Sequence, residues 1–249
     1  MSTLICIPTY DEAANIARVV GAVRAAEPEA DVLVIDDASP DGTGRIADGL
    51  AAEDPAVHVL HRAGKDGLGR AYLAGFEWAL ALGYDAVVEM DADGSHRALD
   101  LPALLAASER GADLVLGSRW IPGGRVRNWA WHRVLLSRAG NAYARAMLSL
   151  PYGDVTGGFR VFRTDALRRL DLAQVRSEGY CFQIDLVRRA HQRGLEVVEV
   201  PITFVERQHG ASKMSRRIVL EALWSTTRWS LERLRPARAA AGGGARVRT

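Results

Sequence analysis

The chain has 249 residues, of which 48% are hydrophobic and 25% charged, and this fits one large α/β domain with an ample core. The formal net charge of +2 hides an asymmetry, because eight arginines against two glutamates give residues 215–249 a charge of +6 and leave −4 for the rest. A weakly acidic body with a basic end argues against general nucleic-acid binding and favours contact with an anionic surface.

Cysteine usage and the N-terminal sequence indicate a cytoplasmic protein. Cys6 and Cys181 both stand in apolar contexts, which argues against a disulfide framework or a cysteine-rich metal site. The first ten residues enter a strand-like run without the basic and apolar segments of a signal peptide. No stretch approaches the roughly 20 apolar residues of a spanning helix, so we expect a protein that is neither exported nor membrane-spanning.

Short apolar runs alternate with stretches of helical period, which predicts a mostly parallel sheet with helices on both faces. Strands are predicted at 4–8, 32–36, 57–61, 86–90, 113–118, 159–163 and 195–200. Helices are predicted near 12–26, 43–53, 67–82, 100–110, 133–149 and 181–193. The rhythm breaks at the irregular stretch WIPGGRVRNWAWHR, and there is no internal repeat.

The C-terminal region is predicted to form a separate amphipathic helix at 215–235, after the α/β domain at 1–214 and before a disordered basic tail at 236–249. One face of this helix carries Leu220, Leu223, Trp224, Thr227, Leu231 and Leu234. Two interpretations remain open: the helix packs this face on the domain, or it lies in a membrane interface with its arginines at the flanks.

Polar sequence collects at the carboxyl ends of five predicted strands, where open parallel sheets bind their ligands. These ends read PTYDEAANI, DDASPDGTG, HRAGKDGLG, DADGSH and GSRW. Asp91 and Asp93 point to the same side, and two such charges repel each other unless a cation screens them. We interpret them as ligands of Mg²⁺ or Mn²⁺ on a nucleotide diphosphate, the alternative being a solvated turn. His96 is interpreted as a supporting or packing residue.

Two other loops contribute to a nucleotide site. Asp36 or Asp37 can accept hydrogen bonds from ribose hydroxyls or a base edge, whereas Asp36 or Asp41 is expected to cap the next helix. Lys65 adds positive charge in GKDGLGRA, where glycines allow close backbone approach. The nicotinamide, flavin and phosphate-loop fingerprints are absent, which argues against those enzyme classes.

Eight ordered blocks between about residues 3 and 235 resemble the polyprenol-phosphate (dolichol-phosphate) mannose synthases, inverting family-2 glycosyltransferases with the GT-A nucleotide-sugar fold. The blocks are PTYDE, VIDDASPDGT, KDGLGRA, MDADGSH, GSRW, DVTGGFR, GYCFQID and VPITFVERQHGASKM. The resemblance implies transfer of mannose from GDP-mannose to a polyprenyl phosphate with inversion, Mg²⁺ or Mn²⁺ as cofactor and no nucleic-acid partner.

The resemblance also implies roles for individual residues. The guanosine of the donor would contact Pro8, Tyr10, Glu12, Ile35, Asp37 and Ala92. The metal would bind Asp91, Asp93 and, as a further oxygen ligand, Ser95. The donor diphosphate and the acceptor phosphate would be surrounded by Arg119, Arg207 and Lys213, joined by Arg133 or its rival Arg138.

The implied acceptor is an anionic lipid phosphate, which can attack without a base that removes a proton. Its membrane location suggests peripheral attachment to the cytoplasmic face, through the basic C-terminal helix or a membrane-protein partner.

Three alternatives remain. The donor could be a UDP-sugar such as UDP-glucose or UDP-GlcNAc; the acceptor could be a soluble hydroxyl with Asp185 as general base; or the chain could be a non-catalytic membrane-associated scaffold that retains nucleotide-sugar binding.

Overall fold

The computed structural model describes residues 1–175, 177, 179–207 and 223–231. The strands are β1 (Thr3–Thr9), β2 (Asp31–Asp36), β3 (Val57–His61), β4 (Ala86–Glu89), β5 (Leu114–Ser118), β6 (Arg125–Arg127), β7 (Arg160–Arg163), β8 (Val197–Pro201) and β9 (Thr203–Val205). The helices are α1 (Ile16–Ala26), α2 (Thr43–Glu53), α3 (Leu68–Leu82), α4 (Leu101–Glu109), α5 (Trp131–Leu148), α6 (Thr164–Arg168) and α7 (Gly179–Gln192), followed by a further helix at 223–231.

Seven strands form the central sheet in the order β3-β2-β1-β4-β7-β5-β8, and β6 pairs with β9 in a small second sheet. All neighbours in the central sheet are parallel except β7, which runs antiparallel to both β4 and β5. The carboxyl ends of β1, β2, β4 and β5 therefore meet the amino end of β7 at one edge. The predicted mostly parallel α/β fold is confirmed, and the antiparallel insertion brings the GGFR sequence to the same edge.

The central strands are continuous apolar runs because helices cover both faces of the sheet. In β1, Leu4 and Cys6 face the core beneath α3 and α7, whereas Ile5 and Ile7 face the core beneath α1 and α4. Gly75 of α3 lies so close to β1 that an added Cβ would come within 2.7 Å of the Cys6 sulfur. The helix can approach the strand this closely only with glycine at that position.

Most predicted elements are present within a few residues of their expected bounds. The first helix begins at Ile16 rather than near residue 12, because residues 11–15 form a turn in which the Glu12 carbonyl accepts hydrogen bonds from Asn15 and Ile16. The sequence reading missed β6, β9 and α6, which have three, three and five residues. Elements this short have no readable period.

The described part of the C-terminal helix, residues 223–231, packs on the domain with Trp229 and with small polar side chains. Thr226 and Ser230 are buried, whereas Trp224 and Leu231 are 70% and 58% exposed. Tyr143 of α5 hydrogen-bonds to Thr227 at 2.6 Å. The predicted segments 215–222 and 232–249 lie outside the described residues. Within the described residues, no helix is both long enough and apolar enough to cross a membrane.

Candidate active site

Asp91 and Asp93 lie directly beyond β4, at the edge where the strand ends meet. Asp91 Oδ1 is 3.5 Å from the Tyr72 hydroxyl, and the Asp91 side chain is 34% exposed. Asp93 is more enclosed, and its Oδ1 accepts a hydrogen bond from the Ser95 amide at 3.0 Å. Burial raises the pKa of Asp91. Burial also opposes ionisation of Asp93, but hydrogen bonds from Ser95 and the charge of Arg207 leave its pKa lowered.

His96 supports the loop that carries the acid pair. Its Nδ1 accepts a hydrogen bond from the Asp91 amide at 3.0 Å, while its ring stacks on Phe159 and meets the edge of Phe204. Burial lowers the pKa of His96, which favours a neutral ring with the proton on Nε2. The ring orients Asp91 and fills the core beneath it, in agreement with its interpretation as a supporting residue.

The donor atoms at this edge fit a hard divalent cation. Carboxylate oxygens of Asp91 and Asp93 are the ligands that Mg²⁺ and Mn²⁺ prefer. The Ser95 hydroxyl is buried close to Asp93, so its oxygen is a further candidate ligand. The described residues contain no cluster of three or more His, Cys, Asp or Glu suited to a metal. Two carboxylates with positions left for phosphates and water are typical of Mg²⁺ sites on nucleotides.

A buried polar pair lies beneath the acids. Glu89 of β4 is the antiparallel partner of Arg160 in β7, and both side chains are inaccessible to solvent. The Arg160 guanidinium donates hydrogen bonds to the carbonyls of Gly157, Gln183 and Val155. Burial raises the pKa of Glu89 to about 8, despite the opposing charge of Arg160. Glu89 is therefore largely protonated at neutral pH.

This raised pKa predicts a pH dependence of stability. Glutamate in the unfolded chain titrates near pH 4.5, so between about pH 4.5 and 8 the folded protein holds a proton that the unfolded chain releases. The free energy of unfolding should fall as pH rises through this window, by up to about 1.4 kcal/mol per pH unit. In urea titrations with EDTA, Glu89→Gln should remove this slope, whereas the exposed control Glu77→Gln should retain it. An unchanged slope in Glu89→Gln would contradict the assignment.

The residues expected to contact guanosine lie at the ends of β1 and β2, which pair side by side. Pro8 is the register partner of Ile35. The Lys65 ammonium lies 3.9 Å from the centre of the Tyr10 ring. The loop after β3 therefore lies beside the loop after β1. Asp37 is buried against Arg62 in an ion pair, and its burial raises its pKa.

Two further acids at this end stabilise the loops. Asp36 accepts hydrogen bonds from the Thr9 and Ser39 hydroxyls, and Asp41 accepts from the amide of Thr43, the first residue of α2. Asp41 therefore contacts the first amide of α2, although the N-cap position itself is Gly42, which has no side chain to cap the helix. Glu12 and Ala92 are both buried, and the Glu12 carboxylate accepts a hydrogen bond from the Asn15 side chain at 2.9 Å.

Arg119, predicted to contact phosphates, lies in a buried ion pair. Its Nε and a terminal nitrogen donate to the two oxygens of Asp154 at 2.7 and 2.9 Å, and the Arg119 side chain is only 6% exposed. A third hydrogen bond reaches the Thr156 hydroxyl at 3.0 Å. Burial opposes ionisation of Asp154, but Arg119 holds the pKa of that carboxyl below its usual range. The guanidinium is rigidly positioned beside the site.

The other predicted cations have different environments. Arg207 contacts Asp93, and so lies directly at the acid pair. Arg133 pairs with Glu206 and stacks over Trp129 at 4.2 Å, whereas its rival Arg138 lies over the Trp120 ring. Lys213 lies outside the described residues. Among the described candidates, Arg119, Arg133 and Arg207 are therefore all engaged by carboxylates.

Sequence reasoning missed the side chains that hold the Arg119 site together. The Glu199 carboxylate in β8 accepts hydrogen bonds from the amides of Gly153 and Asp154 at 2.6 and 2.9 Å. Asn141 of α5 donates to the Gly153 carbonyl and accepts from the Val155 amide. The DVTGGFR block gave the position of Asp154. No signal in the neighbouring sequence indicated that Asp154 would pair with Arg119, 35 positions earlier.

The sheet is mostly parallel, and the paired acids and adjacent arginines lie at the edge where its strand ends meet. This arrangement is that of a glycosyltransferase of the GT-A fold. The chain belongs to glycosyl transferase family 2, whose family model matches residues 4–171.

Two curated relatives cover nearly the whole chain. A protein from Mycolicibacterium smegmatis named polyprenol monophosphomannose synthase is 53% identical over 92% of this chain and 87% of its own length. A protein from Micrococcus luteus named undecaprenyl-phosphate mannosyltransferase is 56% identical over 93% of this chain and 95% of its own.

Solved structures support the fold at greater distance. Glucosyl-3-phosphoglycerate synthase from Mycobacterium tuberculosis, in complex with Mn²⁺, UDP-glucose and phosphoglyceric acid, superposes with a TM-score of 0.65 at 20% identity. The superposition covers 91% of this chain and 80% of the other. At this identity the similarity establishes the shared architecture alone.

Proposed function

We propose that this protein transfers mannose from GDP-mannose to a polyprenyl phosphate, giving polyprenyl phosphomannose and GDP with inversion at the anomeric carbon. The observation that carries the proposal is the acid pair Asp91 and Asp93, placed beside Arg207 and the fixed Arg119 at the ligand-binding edge of the sheet. The names of the two curated relatives support both the sugar and the lipid acceptor.

The donor is proposed to lie across the ends of β1, β2 and β4. Tyr10, Glu12 and Asp37 would contact the nucleoside, while Lys65 would approach the phosphates. Asp91 and Asp93 would hold Mg²⁺ or Mn²⁺, which when bound neutralises the diphosphate and stabilises charge on the leaving nucleotide. The arginines would then balance the charge of the incoming phosphate, because donor and acceptor are both anionic.

The surroundings of Asp185 favour a phosphate acceptor over a hydroxyl acceptor. Its Oδ1 lies 2.6 Å from Arg188 and 3.1 Å from Arg189, and its other oxygen accepts from the Ser177 hydroxyl. Both carboxylate oxygens of Asp185 are therefore already engaged by side chains of the protein. A phosphate that is already ionised needs no general base.

A surface of exposed apolar side chains suits a membrane-bound acceptor. We define the apolar surface as Trp131, Leu135 and Leu136 of α5 together with Trp224 and Leu231 of the C-terminal helix, all more than half exposed. Tyr143 and Thr227 join the two helices, and Arg228 is exposed between Trp224 and Leu231 on the outward side. This orientation supports the interfacial interpretation of the helix. We propose that the surface docks peripherally on the cytoplasmic face of the membrane, alone or with a membrane-protein partner.

Polar substitutions in the apolar surface should weaken binding to vesicles and lower transfer to a membrane-bound acceptor. Leu135→Ser with Leu136→Ser, or Trp224→Ser with Leu231→Ser, should lower cosedimentation with anionic vesicles and transfer to long-chain polyprenyl phosphate about tenfold. Transfer to a short, water-soluble prenyl phosphate should change less than about twofold. The control Leu82→Ser, 62% exposed at the end of α3, should match the wild type. Equal losses on both acceptors would mean that these side chains support the domain instead.

The function is tested by transfer of radiolabelled mannose from GDP-mannose to a polyprenyl phosphate in detergent, with Mg²⁺, Mn²⁺ or EDTA. Metal-dependent, acid-labile label in the organic phase is the expected result. Label from UDP-glucose or UDP-GlcNAc, but not from GDP-mannose, would assign the alternative donor. Nucleotide-sugar binding without transfer to any acceptor would indicate a non-catalytic scaffold.

A further inference from the structure

Arg207 lies directly at the acid pair that is proposed to hold the metal ion. A terminal nitrogen of its guanidinium lies 3.2 Å from Asp93 Oδ2, and the two side chains are 19% and 9% exposed. The other Asp93 oxygen accepts the Ser95 amide, so the arginine contacts the oxygen that this hydrogen bond leaves available. The positive charge also lies close enough to Asp91 to favour its ionised form.

The main chain beside Arg207 is fixed to the loop that carries the acids. The Val205 amide donates to the Ser95 carbonyl at 3.0 Å, and the Glu206 amide donates to the Arg127 carbonyl at 3.1 Å. Glu206 is held further by its ion pair with Arg133. A change in the Arg207 contact therefore requires rotation of the side chain, while the strand remains in place.

A divalent cation and a guanidinium that approach the same carboxylate oxygen repel each other and therefore compete for it. Opposite charges at contact distance stabilise each other in a partly buried site, and like charges at the same distance are destabilised by a similar amount. Coordination of a metal through Asp93 Oδ2 is therefore expected to weaken the contact with Arg207. Released from Asp93, the guanidinium keeps its positive charge and can attract a phosphate group.

We propose that Arg207 is the internal counter-ion of the acid pair, that a divalent cation displaces it from Asp93, and that the displaced guanidinium binds the donor phosphates. This inference rests on the proposed metal dependence and extends it. Arg207 would weaken binding of the divalent cation in the free protein and strengthen it in the nucleotide complex. Metal and nucleotide would then bind with positive cooperativity.

The test measures Mn²⁺ affinity directly, from the electron paramagnetic resonance signal of free Mn²⁺. Without nucleotide, Arg207→Ala should bind Mn²⁺ about tenfold more tightly than the wild type, because no side chain competes for Asp93. With saturating GDP the order should reverse, and the variant should bind Mn²⁺ several-fold more weakly. The control Arg127→Ala removes an exposed arginine on the adjacent strand and should change either affinity less than about twofold.

A second measurement follows the wild-type side chain itself. The ¹⁵Nε resonance of Arg207, assigned with Arg207→Lys, should shift during titration with diamagnetic Mg²⁺ as the ion pair is replaced. Equal Mn²⁺ affinity of wild type and Arg207→Ala without nucleotide, or weaker binding by the variant, would overturn the inference and leave the proposed function intact. Failure of all proteins to bind Mn²⁺, even with GDP, would overturn the proposed metal dependence and the inference together.

Discussion

Asp93→Ala should lower metal-dependent mannosyl transfer at least about a thousandfold while the protein remains folded. The side chain lies on a loop beyond β4, and its proposed role is to bind the cation that neutralises the donor diphosphate. In the metal-free protein its loss removes the contact with Arg207 but also relieves repulsion with Asp91. The melting temperature should therefore stay within about 5 °C of the wild-type value.

The assay compares transfer in detergent with thermal unfolding of the same preparations. Asp165→Ala is the matched control, because its side chain is 75% exposed on α6 and pairs only with the neighbouring Arg168 among the described contacts. That variant should transfer at the wild-type rate. A lost thermal transition in Asp93→Ala would show that the residue is structural, and retained transfer would place the metal elsewhere.

The sequence was most informative where local patterns determine structure. β1, β2 and β4 were predicted well because runs covered on both faces are uniformly apolar, and because Asp36 and Asp91 mark where two of them end. Parallel pairing then predicted that these ends would meet. The antiparallel direction of β7 could not be predicted in the same way, because a four-residue strand such as RVFR carries no signal of direction.

The prediction of the site was less complete where contacts are distant in the chain. Arg119 was identified as a cation near phosphates, but its partner Asp154 lies 35 residues later. Glu199, which holds the Asp154 amide, is 45 residues beyond that. No period or turn signal connects such positions, so the residues that orient a functional side chain emerge only from the packed structure.

Asp154→Ala should be among the most destabilising substitutions in the protein. It would leave the Arg119 guanidinium buried without its carboxylate, and breaking a buried pair in this way costs about 3–5 kcal/mol of unfolding free energy. It would also remove the acceptor for three hydrogen bonds from Arg119. Urea denaturation at pH 7 should show a lowered midpoint, and transfer should be lost with the fold. Wild-type stability in this variant would show that the ion pair contributes little.

Replacing both partners separates the structural role of Arg119 from its proposed catalytic role. Arg119→Met combined with Asp154→Asn removes both buried charges but keeps an oxygen that can accept hydrogen bonds from the amides of residues 156 and 157, and should recover most of the lost stability. If the role of Arg119 is only structural, the double variant should recover transfer as well. We expect that it will fold but remain at least about a hundredfold less active, because an apolar side chain cannot balance the charge of donor and acceptor phosphates. Recovery of both properties would remove Arg119 from the proposed site and leave Arg207 as the cation at the acid pair.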